Sequence, residues 1–152
     1  MIDAKNLSPH FTLAEMTRSS AAVRRGLDNS APPAVADALA RLCIHVLEPV
    51  RARFGMVRVT SGYRSPAVNR AVGGAKTSRH IFGEAADFTV PGVGNLDVCQ
   101  WIMRHLHYDQ LIYEFGEAGW VHCSWRDGPL RNQELTAKHV DERVRYLSGL
   151  VA

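Results

Sequence analysis

The chain has 152 residues, 46% hydrophobic and 22% charged, which excludes a disordered, collagen-like or fibrous protein and predicts one globular domain over 1–152. Its formal charge of +3 comes mostly from arginine, a mild excess that suits any polyanionic partner and selects none. No uncharged run exceeds nine residues, so no membrane span is expected.

Met1-Ile2-Asp3-Ala4-Lys5 lacks the basic start and apolar stretch of a secretory leader. The three cysteines, Cys43, Cys99 and Cys123, are odd in number and widely spaced. They predict reduced thiols in a protein made in the cytoplasm rather than a disulfide scaffold. No repeat, low-complexity tract or long linker divides the chain.

The first predicted element is a short helix. Thr12-Leu13-Ala14-Glu15 has capping-box spacing, and Arg24-Arg25-Gly26 reads as a basic last turn with a glycine stop. A longer helix is expected from about Ala34 to Arg53, with Leu39, Leu42, Val46 and Val50 on one face and a kink at Pro49. Val57–Thr60 alternates and is β-branched, a strand leading into Ser61-Gly62-Tyr63-Arg64-Ser65. Ala67–Val72 reads as a short helix and Ala85–Val90 as a strand.

Asn95 is positioned to cap a helix whose apolar stripe is Leu96, Cys99, Met103 and Leu106. Gln110–Phe115 and Trp120–Trp125 then form an expected β-hairpin. Val140, Val144 and Leu147 permit a terminal helix. This order favours an α+β fold, with a small antiparallel sheet flanked by helices.

The densest chemical signal is Ser78-Arg79-His80-Ile81-Phe82-Gly83-Glu84-Ala85-Ala86-Asp87. It places an imidazole in a loop and a carboxylate at the start of a strand, with Gly83 permitting a sharp return between them. On the later strand, Trp120, His122 and Ser124 share one face, while Val121 and Cys123 share the other. His80, Asp87 and His122 offer the nitrogen and oxygen donors that zinc accepts, and three ligands leave a fourth position open.

The sequence here resembles the zinc D-alanyl-D-alanine carboxypeptidases and phage L-alanyl-D-glutamate endopeptidases, which cut peptidoglycan stem peptides. Three separated blocks carry the resemblance: Ser-x-His-x-x-Gly-x-Ala-x-Asp at Ser78–Asp87, the preceding Ser61–Ser65, and Trp-x-His at Trp120–His122. It covers about residues 11–125, since Phe11–Met16 and Leu47–Arg51 also look like the phage-borne branch. It implies zinc on His80, Asp87 and His122. It makes Arg64 a group that steadies the substrate carbonyl or developing oxyanion, and Ser78 a group that helps hold the peptide. Taken without it, Arg64 reads as a surface ion-pairing residue and Ser78 as a loop hydroxyl bonded to its own backbone.

Better-known members often carry an acid three positions before the last histidine, where this chain has Gly119. Glu114 and Glu117 remain as general bases. A five-residue loop from Phe115 to Gly119 pairs Glu114 with Trp120 on the face of His122, whereas a four-residue loop turns Glu114 away. Glu114 is the favoured base, and Glu117 is expected to be a solvated loop-tip charge, nearly silent to substitution.

The expected function is a monomeric zinc metallopeptidase of the cell wall, encoded by a phage or prophage. Lacking a leader, it would reach the wall by release from the cytoplasm or on a virion. The alternative is a non-catalytic, zinc-containing wall-binding module of the same fold. Nucleic-acid binding is disfavoured, because the arginines are scattered and not interleaved with aromatics.

Overall fold

The computed structural model describes residues 5–152; residues 1–4, within the stretch read for a leader, lie outside it. A short β1–β2 pair (Asn6–Ser8 and Phe11–Thr12) leads into helices α1 (Leu13–Thr17) and α2 (Ser20–Arg25). The single early helix predicted from the capping box is therefore two. Thr12 caps the first as expected, but Arg18 turns extended and Ser19 caps the second by accepting from Ala22 N. Gly26 closes α2 in the left-handed conformation that glycine adopts without a Cβ penalty.

The long helix runs as α3 (Pro33–Leu42), a π-helical turn (Cys43–Leu47) and α4 (Glu48–Phe54). Proline at 49 removes the N–H that His45 would receive, and the chain widens into the π turn just ahead of it. Beyond it come β3 (Arg58–Ser61), α5 (Pro66–Ala71), a 3₁₀ turn (Arg79–Phe82), β4 (Ala85–Thr89) and α6 (Asn95–His105). The hairpin β5 (Gln110–Glu114) and β6 (Trp120–Ser124) follows.

The tail is not helical. β7 (Gln133–Val140) and β8 (Arg143–Ser148) pair antiparallel around Asp141 and Glu142, both at positive φ. Such two-residue turns match strand twist, but Asp-Glu is a poor sequence cue for one.

The main sheet has six strands in the order β3-β4-β6-β5-β7-β8. The expected α+β class holds, but the sheet is mixed, since β5 and β7 run parallel. Alternation sorts its faces. Ala86, Phe88, Leu111, Tyr113, Val121 and Cys123 face a core built with Met16, Leu39, Leu42, Val46, Val98 and Ile102 from the helices. The opposite pleat of β4, β5 and β6 carries Asp87, Glu114 and His122. No helix among the described residues is long and apolar enough to cross a membrane.

Candidate active site

His80 sits on the 3₁₀ turn and is 2% exposed. Its Nδ1–H donates to the Gly62 carbonyl at 2.7 Å, so Nε2 keeps its lone pair and faces Asp87 Oδ1 at 3.3 Å. Gly62 is required there, because a Cβ would meet Met16 O at 2.3 Å. Asp87 on β4 lies directly opposite His122 on β6, and His122 Nδ1 is 2.9 Å from Asp87 Oδ1. One donor atom from each of His80, Asp87 and His122 lies within 4.8 Å of the others.

Protonation suits metal binding. Burial pushes His80 below the ordinary imidazole value, which keeps it neutral. Burial alone would raise Asp87, but His80 and the bonds from both histidines hold it well below the carboxylate range. Burial opposes charge on His122, yet its bond to Asp87 and the nearby carboxylates raise it. Asp87 is thus poised as an anionic ligand and His80 as a neutral one.

Two imidazoles and one carboxylate form a donor set that fits zinc. No thiol competes, since Cys123 is fully buried on the core face and its pKa is raised by burial.

Glu114 pairs with Trp120, so the connection is the five-residue loop and Glu114 shares the face of His122. Its Oε1 is 3.8 Å from His122 Nδ1. Burial first, then the charge of Asp87, lifts its pKa to about 7 against the pull of His122 and Arg64. The buried Trp120 indole N–H lies beside this carboxylate without meeting hydrogen-bond geometry. Gly119 has no room for an acid, because a Cβ there would lie 1.8 Å from Glu114 O.

Arg64 lines the same cleft, and its buried Nε has no partner. Its Nη2 donates to Ser78 Oγ at 3.4 Å, and that oxygen also accepts from His80 N at 3.3 Å. Ser78 thus caps the turn that carries His80 and braces Arg64, while also lining the cleft.

Glu117 departs from expectation. It is exposed but tied down, accepting from Asn95 N at 2.7 Å, from Leu96 N at 3.1 Å and from the Tyr113 hydroxyl. It caps α6 from across the loop, so Asn95 is the first helical residue rather than the cap. Glu84 is likewise paired, with Arg79 at 3.4 Å, and is not a free loop carboxylate.

Three further histidines have partners elsewhere in the fold. His10 bonds Glu48 at 2.7 Å, His45 stacks on Trp125 and His139 on Phe115. Trp101 packs against the core beside Phe54, and the His105 ring meets the Trp101 carbonyl at 2.9 Å.

The cleft over this face measures about 470 Å³. The sequence reading missed two of its walls, Arg131 and Tyr146. Both come from the tail, where no motif flags them; the only available signal was the β alternation of the tail.

A face that gathers two histidines, an aspartate, a half-buried glutamate and an arginine with a free Nε–H has the donor and ionisable groups that a metal-dependent hydrolase needs. The chain belongs to the peptidase M15 family, whose model matches residues 9–124. It is similar to the zinc D-Ala-D-Ala carboxypeptidase of Streptomyces albus G, being 35% identical over 92 residues, which cover 59% of this chain and 34% of that protein. The matched part of the chain thus spans about a third of that relative's length.

Proposed function

We propose that this chain is a zinc metallopeptidase that hydrolyses peptide bonds in peptidoglycan stem peptides. The observation that carries the reading is the convergence of His80, from the 3₁₀ turn, with Asp87, His122 and Glu114 on one face of the sheet. The zinc D-Ala-D-Ala carboxypeptidase relative supports both the metal and the substrate class. The Asp-Gln-Leu-Ile-x-Glu run at Asp109–Glu114, which looks like the phage-borne branch, supports a lytic, endolysin-like role.

His80 Nε2, an imidazole nitrogen of His122 and a carboxylate oxygen of Asp87 would hold the ion. Zinc bound there supplies Lewis acidity, polarising the scissile carbonyl and easing deprotonation of water near neutral pH. Glu114 accepts the proton from the attacking water at its carboxylate and returns it to the departing amine nitrogen. Burial raises its pKa above the ordinary carboxylate value, which favours the return of that proton, and a cation beside it favours the acceptance. Arg64, whose guanidinium lines the cleft and is braced by Ser78, offers N–H groups to the oxygen that gains charge in the transition state.

The test is digestion of purified peptidoglycan by zinc-loaded protein, with the new termini identified by mass spectrometry. New amine and carboxyl ends within stem peptides are expected, and their positions separate endopeptidase from carboxypeptidase action. Binding of zinc and wall fragments without new termini would establish a binding module instead.

A further inference from the structure

The hairpin β7–β8 lies beyond the family match, which ends at residue 124, yet it lines the cleft. Arg131, just ahead of β7, is held rigidly. Its Nε and Nη2 donate to Asp109 at 3.0 and 2.9 Å, its backbone N–H adds a third bond at 3.2 Å, and Asp109 is 1% exposed. Its Nη1 takes no part in these bonds, and its side chain is 52% exposed. Arg126 Nε also stands 3.8 Å from Asp109, so two guanidiniums face one carboxylate and a positive charge is left over.

Register locates that charge. Gln110 pairs with Gln133, two residues after Arg131, whereas Glu114 pairs with Ala137 and Ala137 with Tyr146. Arg131 and Tyr146 therefore stand at opposite ends of β5, with the Ile112–His122 pair midway. Two residues of strand separate the His122 row from the Gln110 end, roughly 7 Å, and although the Arg131 backbone lies two positions before Gln133, its bonds to Asp109 bring the guanidinium back beside Gln110. A peptide lying extended along β5 presents a side chain at that end when a bond about two residues away is over His122.

Resting on the peptidase reading above, we propose that Arg131 is a specificity-determining residue. It binds a carboxylate on the substrate peptide about two residues from the scissile bond. The fork committed to Asp109 leaves one edge of the guanidinium for a single planar anion, and pre-orders it. Tyr146 closes the other end of the cleft, above the small buried Ala137.

The experiment uses zinc-loaded protein and matched synthetic peptides bearing either a carboxylate or its carboxamide two residues from the cleaved bond. Wild type should cleave the acid roughly 10–100-fold faster in kcat/KM, mostly through KM. Arg131→Gln should lose the preference while retaining its zinc, and Arg131→Lys should restore part of it. Equal cleavage of both peptides by wild type overturns the proposal without any variant, so a folding defect in Arg131→Gln cannot mask the answer. An undiminished preference in Arg131→Gln also overturns it. Cleavage of neither peptide is a different result, which overturns the peptidase reading and this inference together.

Discussion

The Glu117 carboxylate accepts the backbone N–H of Asn95 at 2.7 Å, and the Asn95 side chain answers by donating to the carbonyls of Gly116, Glu117 and Gly119. This reciprocal clamp joins the start of α6 to the loop that sets the register of Glu114. Glu117→Gln should consequently lower stability by about 1 kcal/mol, through a weakened helix cap. Asn95→Ala should cost about 1–3 kcal/mol, since Asn95 is 4% exposed and the carbonyls of Glu117 and Gly119 lose its amide, while Gly116 O keeps the Gly119 N–H. Denaturant midpoints measure both, and a Glu117→Gln midpoint equal to wild type would refute the clamp.

Metal content should depend on all three cluster residues. His80→Ala, Asp87→Ala and His122→Ala should each reduce bound zinc sharply in protein purified without added metal. Zinc affinity should also fall on acidification, because the ion competes with protons for the ligand atoms of Asp87 and His122. Elemental analysis and titration at several pH values check this; full zinc retention in all three variants would remove the site.

Glu114→Gln keeps the shape of the side chain but cannot accept a proton. Zinc content and folding should survive while kcat/KM falls about 10²–10⁴-fold. Wild-type activity should fall on acidification as Glu114 becomes protonated. Burial and the charge of Asp87 set the pKa of that group at about 7, and a cation beside it draws the midpoint to lower pH. A pH–rate profile with no acid limb would argue against Glu114 as the base.

Asp109 has a lowered pKa because Arg131 bonds it. A carboxylate depressed in the folded state stabilises above its unfolded pKa, and that contribution disappears as pH falls through the folded value. Asp109→Asn should cost about 1–3 kcal/mol at pH 7. The gap from wild type should narrow below about pH 4, where unfolded carboxylates begin to protonate. Chemical denaturation at both pH values tests the sign.

Much of the site was legible because its chemistry is written locally. His80 and Asp87 flank Gly83, and β-alternation alone places His122 opposite Cys123. The Glu114 pairing was one of two registers the sequence allowed, and the fold selects the five-residue loop. The tail was illegible for a physical reason: Val140, Val144 and Leu147 satisfy helical spacing by coincidence, while the Asp141-Glu142 turn lacks the glycine or asparagine that usually marks positive φ. Arg131 and Tyr146 reach the cleft only through a parallel β5–β7 pairing, which no local pattern encodes. Glu117 was misread because a cap supplied from 22 residues away leaves no trace in the helix it caps.

The crowding at Gly119 bears on ancestry. A side chain there collides with the carbonyl of Glu114 at 1.8 Å, so the acid cannot migrate to that position by point mutation while this loop persists. The proposed base at Glu114 and an acid three positions before the last histidine are thus separated by an epistatic barrier. Crossing it requires rebuilding the hairpin first. Lineages with the two layouts should accordingly differ in loop conformation before they differ in the acid itself.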